Sequence, residues 1–144
     1  MMILLSALAM AATPTQRIEI MPELIADLPR QQISIVGHDD SVQRCEGVPL
    51  TGVLAKAGLP AVSKLHGKDL RKVVVAHARD GYAVAFSLGE LDETLGNARV
   101  VLVDKCNYEP LGQEDGPFRL ALPGDQRGAR MVRQLIALEI LSID

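Results

Sequence analysis

The stretch 121–135, ALPGDQRGARMVRQL, sets Arg127, Arg130 and Arg133 beside Gly124 and Gly128, with Arg119 just upstream. Guanidinium groups bind phosphate in bidentate fashion, and glycines let backbone N–H groups come close to an anion. Those residue types at that spacing suit an anion-binding loop. The competing reading is a solvated basic surface, with the arginines paired to Asp125, Glu139 or other carboxylates. Such surface pairs contribute only about 0–1 kcal/mol each. The whole chain carries a formal net charge of −3, so any attraction for an anion is local to this loop.

Other chemistry is sparse. Cys45 and Cys106 are far apart in sequence, and nothing local brings their Cα atoms within disulfide range. They are read as two small buried hydrophobes, with pairing in an oxidising compartment as the alternative. His38, His66 and His77 have no Cys or carboxylate at ligand spacing, so no metal site is read. No G-x-G-x-x-G, P-loop or G-x-S-x-G occurs, and no Ser-His-Asp spacing argues a triad. No catalytic residue is therefore assigned. The acidic balance, and aromatics limited to Phe86, Phe118, Tyr82 and Tyr108, argue against a nucleic-acid partner.

The elements that must position the loop follow from local signals. A chain of 144 residues, 48% of them apolar, fits one domain with a core of Leu, Val, Ile and Ala. Pro22 suits the first turn of a short helix whose apolar face is Leu24, Ile25 and Leu28, with Pro29 ending it. A strand at Ile33 and Ile35 turns through 38–41 and returns as VQRCEGV. PLTGVLAKAGL is a helix with Leu50, Val53, Leu54 and Ala57 facing inward. RKVVVAHARDGYAVAFSL is a hairpin turning at Asp80-Gly81. Ser87 and Glu90 form a capping box on the next helix. ARVVLVDK is an interior strand, FRLALP another, and LIALEIL a terminal strand or short helix. The fold class is α+β, with a mixed β-sheet and short helices.

The N-terminal run MILLSALAMAA is short, apolar and followed by Thr13-Pro14-Thr15. It is read as a signal peptide over residues 1–11 with an Ala-x-Ala cleavage pattern, leaving residues 12–144 as the mature domain. That places the protein in the periplasm or outside the cell, with no stable membrane anchor after signal removal.

Four pieces, CEGVPLTGVLAKAGL, RDGYAVAFSLGELDE, VVLVDKCNYEPL and GPFRLALPGDQRGARMVRQLIALEIL, occur in one order. That order resembles the sulfite oxidase-like, molybdopterin-binding oxidoreductase domain, over roughly residues 18–141. The resemblance implies that the Pro-Gly loop and the basic segment after it bind the anionic pterin cofactor. On this chain those positions are Arg119, Gly124, Arg127, Gly128, Arg130 and Arg133, and molybdopterin is the cofactor implied. Arg133 stands where the family usually has Lys, Gln134 where it has Trp, and Tyr108 where it has the Gly of N-G. The molybdenum-ligating Cys of the full-size enzymes corresponds here to Ile35, in Ile35-Val36-Gly37-His38, and an alkyl group cannot ligate a metal. The expectation is therefore a non-redox domain binding an anionic small molecule or a periplasmic partner protein. The alternative is an active molybdenum oxidoreductase using Cys45 or Cys106 as ligand.

Overall fold

A computed structural model describes residues 13–37, 39–59 and 65–143. The expected signal peptide, His38 and the start of the 60–69 linker lie outside the described residues. Among the described residues, nine strands and three short α-helices follow one another as β1 (Thr13–Glu19), α1 (Pro22–Ile25), β2 (Gln31–Val36), β3 (Val42–Pro49), α2 (Leu50–Lys56), β4 (Lys72–Ala78), β5 (Ala83–Ser87), α3 (Leu88–Leu91), β6 (Val101–Cys106), β7 (Glu109–Pro110), β8 (Arg119–Ala121) and β9 (Leu135–Ser142). The class is α+β and mostly β.

The expected mixed sheet is instead two sheets, in which every pairing among the described residues is antiparallel. One has the order β1-β9-β4-β5; the other runs β2-β3-β6-β7, with β8 also on β6. Hairpins build β2–β3 and β4–β5, which the local turn signals dictate. Strand β1 was not foreseen. Pro14 sits in it, which an edge strand tolerates, and a bulge follows between Pro14 and Gln16. LIALEIL resolves as β9, held between β1 and β4.

The main core lies between the sheets. Val74, Phe86, Leu138 and Ile140 of the first sheet pack in one cluster with Val48, Leu102 and Leu120 of the second, and Leu50, Val53 and Leu54 of α2 join them. A second, smaller cluster (Ile33, Ile35, Cys45, Val101, Val103 and Ala121) covers the other face of the second sheet, with Leu111 and Met131 against it. Strand β6 is therefore buried on both faces, which is why its sequence reads as continuous rather than alternating apolar residues. Gly47 permits the close approach of β3 to β6: a Cβ there would lie 1.9 Å from the Leu102 carbonyl oxygen.

The two cysteines are not free hydrophobes. Register pairs Cys45 with Cys106 across β3 and β6, their Cα atoms are 4.0 Å apart, and they form a disulfide. Neighbouring strands hold directly opposed residues at about this separation, so sheet pairing alone aligns the two sulfurs. Asn107 and Tyr108, both at positive φ, make the tight turn into β7. Tyr108 is 72% exposed there.

Candidate anion-binding cleft

Three loops meet at one end of the second cluster and leave a cleft of about 1150 Å³. The β2–β3 hairpin supplies Ser34, Ile35, Val36, Gly37, Asp39 and Ser41. The β4–β5 turn supplies Asp80 and Tyr82. Asp115, Arg119 and the loop 123–133 complete it, with Met131 at the boundary with the apolar cluster.

Arg119 and Arg133 are brought together by backbone pairing. Leu120 N–H donates to the Val132 carbonyl at 2.8 Å, and Leu135 N–H donates to the Phe118 carbonyl at 2.8 Å. This short ladder sets β8 beside the chain entering β9. Gln134, at φ 48, donates its N–H to the Asp115 carbonyl at 2.9 Å, which pins Asp115 next to both arginines. The Asp115 carboxylate meets both through one oxygen: Oδ1 lies 3.9 Å from Arg119 Nη1 and 3.3 Å from Arg133 Nε.

The two guanidinium groups differ in surroundings. The Arg119 side chain is only 11% exposed, whereas that of Arg133 is 48% exposed. Among the described residues, Arg119 Nε is buried without a hydrogen-bond partner, and its Nη2 reaches only Met131 Sδ, at 4.0 Å. Burial lowers the pKa of Arg119 from its ordinary value; Asp115 opposes that and Arg133 adds to it. The group nevertheless stays charged, because its ordinary pKa lies far above neutrality. It is a largely buried cation with too little counter-charge.

Arg127 is presented differently. It is exposed, its side chain makes no hydrogen bond or ion pair among the described residues, and it precedes a short 3-10 turn, Gly128–Arg130. The loop carrying it is clamped on both sides. Arg130 closes the clamp with a bidentate pair to Asp125 (Nε–Oδ2 2.9 Å, Nη2–Oδ1 2.8 Å) and a third bond to Glu90 Oε2 at 3.0 Å. Its guanidinium also lies over the Phe86 ring, 5.3 Å from the centroid. Tyr82 Oη donates to the Ala129 carbonyl from the neighbouring hairpin.

Arg119, Arg127, Gly128 and Arg133 line the cleft; Arg130 and Gly124 do not. Arg130, one of the residues that the resemblance assigns to the cofactor, reaches instead to two carboxylates, whose hydrogen bonds hold its pKa well above the usual arginine value. Gly124 and Gly128 both adopt ordinary negative-φ backbone, and a Cβ at either would meet nothing within 4 Å. Neither glycine is demanded by packing. At Gly128 the missing side chain leaves the cleft wall open to a ligand. Sequence reasoning missed Asp115 and Tyr82 as cleft residues; four-residue spacing to Arg119 was the only signal for Asp115.

Replacing Arg130 by Ala is expected to lower stability by about 1–2 kcal/mol. Three charge-assisted bonds are lost, discounted for partial exposure. That corresponds to a Tm drop of roughly 2–8 °C. The bond to Arg130 holds the pKa of Asp125 below the usual carboxylate range. A depressed carboxylate pKa stabilises the fold above its unfolded value and loses that contribution as pH falls through the folded value. The deficit of Arg130→Ala should therefore be constant near neutrality and shrink below about pH 4. Urea unfolding of both proteins across pH 3–7 measures it; a deficit that persists unchanged in acid would remove Asp125 from the explanation.

Compared with known proteins, the chain matches no family model and no curated protein.

Proposed function

We propose that this chain is an exported, sulfite oxidase-like domain that binds an oxyanion-bearing ligand in the cleft and performs no redox chemistry of its own. One observation carries the reading. Ile35–Gly37, at the position the resemblance gives to the metal-binding segment, lines the same cleft as Arg119, Arg127, Gly128 and Arg133. Those segments are more than eighty residues apart in sequence. A pterin phosphate would place its anion against the three arginines.

The residues fit the anionic half of such a cofactor and not its metal. Ile35 offers an alkyl group, and the two cysteine sulfurs are joined to each other. The oxidoreductase alternative needs a thiolate from Cys45 or Cys106, which the disulfide does not provide. The disulfide also supports export, since such bonds persist in oxidising compartments.

The test pairs two measurements on protein purified from cells that make molybdopterin. Elemental analysis is expected to find no stoichiometric molybdenum. Calorimetry at low salt is expected to find saturable binding of inorganic phosphate. Stoichiometric molybdenum would return the enzyme reading, and absence of any anion binding would leave the cleft as a docking face for a partner protein.

A further inference from the structure

Arg119 and Arg133 converge on a single oxygen, Oδ1 of Asp115, in a cleft whose third arginine, Arg127, has no counter-ion among the described residues. Charge-assisted bonds between guanidinium and carboxylate are normally about 2.7–2.9 Å long. The contacts at 3.9 and 3.3 Å are longer than that, whereas Arg130 in the same loop holds Asp125 at 2.8 and 2.9 Å. The carboxylate thus stands near both arginines without a short bidentate pair to either, and Arg119 Nε is buried with no hydrogen-bond partner among the described residues.

We infer that Asp115 is a built-in counter-ion of the cleft, its carboxylate standing between Arg119 and Arg133 where one oxygen of a bound oxyanion belongs. The inference rests on the proposed anion-binding role of the cleft and adds what sets its selectivity. A monoanion that displaces Asp115 exchanges one negative charge for another and gains little. A dianion brings a second charge and further oxygens, enough to reach Arg127 and the unpartnered Nε as well. The ligand class is therefore a dianionic tetrahedral group, such as a phosphate monoester, in preference to a carboxylate. Displacement costs little because the contacts it breaks are long. The Asp115 backbone keeps its bond from Gln134 while the side chain swings aside.

The experiment titrates wild type, Asp115→Asn and Asp80→Asn with inorganic phosphate and with acetate, by calorimetry at low salt. Asp80→Asn removes the same charge from the cleft but touches neither arginine, since Asp80 Oδ1 accepts from Tyr82 N–H. Asp115→Asn is expected to bind phosphate about tenfold more tightly than wild type, which is about 1.4 kcal/mol. Acetate, silent on wild type, is expected to bind it measurably. Asp80→Asn is expected to gain no more than about twofold. Should Asp115→Asn fold poorly, as thermal melts would show, Asp115→Ser carries the same expectation. Phosphate binding by wild type that is unchanged or weakened in Asp115→Asn overturns the inference and leaves the anion-binding role standing. An equal gain in Asp80→Asn also overturns it, because the effect would then be the general field of the cleft. No binding by any of the three proteins overturns both.

Discussion

Arg119→Met is expected to abolish oxyanion binding while leaving the fold as stable as wild type or slightly more so. Arg119 is the deepest guanidinium of the cleft, with its side chain 11% exposed and its Nε without a partner. An oxyanion seated there would gain two charge-assisted hydrogen bonds. At about 1.5–3 kcal/mol each, their loss weakens binding by at least about a hundredfold. The cation contributes little to the unliganded fold, because its nearest carboxylate is 3.9 Å away and burial disfavours its charge. Its removal strands no buried charge, because the Asp115 side chain is 37% exposed and keeps Arg133 Nε at 3.3 Å. Arg127→Ala should cost about tenfold in affinity and nothing in Tm, since Arg127 is exposed and makes no bond among the described residues. Arg130→Ala should do the reverse first, lowering Tm and weakening binding only through a loosened loop. Phosphate titrations and thermal melts on the three variants separate these roles. A loss of Tm in Arg119→Met with retained binding would invert the assignment of Arg119 and Arg130.

Removing the Cys45–Cys106 bond is expected to have the largest effect on stability. The two residues are 61 apart in sequence, so the crosslink closes a long loop in the unfolded chain. Chain-entropy reasoning gives roughly 3 kcal/mol for a loop of about 15 residues and roughly 4.7 for one of about 100. Delivered values are commonly lower, and about 3 kcal/mol is the expected loss for Cys45→Ala/Cys106→Ala. That is a fall in Tm of roughly 6–12 °C. Cys45 also belongs to the apolar cluster that contains Ile35, a wall of the cleft, so phosphate affinity should weaken by a small factor as that wall loosens. Differential scanning calorimetry of the double variant, and of wild type with and without reductant, makes the measurement. Equal Tm with and without the bond would mean that the β3–β6 pairing holds itself together unaided.

What could be read from sequence were the features with local causes. Asp80-Gly81 turns β4 into β5, Ser87 and Glu90 cap α3 reciprocally, and Leu50, Val53 and Leu54 recur at helical spacing. The features missed are set by pairing between distant segments. Strand β1 has a proline and no alternation; its partner β9 lies more than a hundred residues away. The disulfide depends on the β3–β6 register, which neither cysteine's neighbours reveal. Arg130 matched the family pattern and was placed at the ligand, but its second carboxylate, Glu90, is forty residues upstream and reaches it only in the fold. No local pattern marks Asp115, because only the ladder between β8 and the approach to β9 sets it between two arginines.

The most direct measurement follows the arginine side-chain N–H resonances of ¹⁵N-labelled protein during a titration with inorganic phosphate at low salt. The signals of Arg119, Arg127 and Arg133 should move together and saturate with one apparent affinity, while that of Arg130 stays in place in its clamp with Asp125 and Glu90. Cleft signals that do not respond at any phosphate concentration, or an Arg130 signal that moves with them, would contradict an oxyanion site built from those three residues.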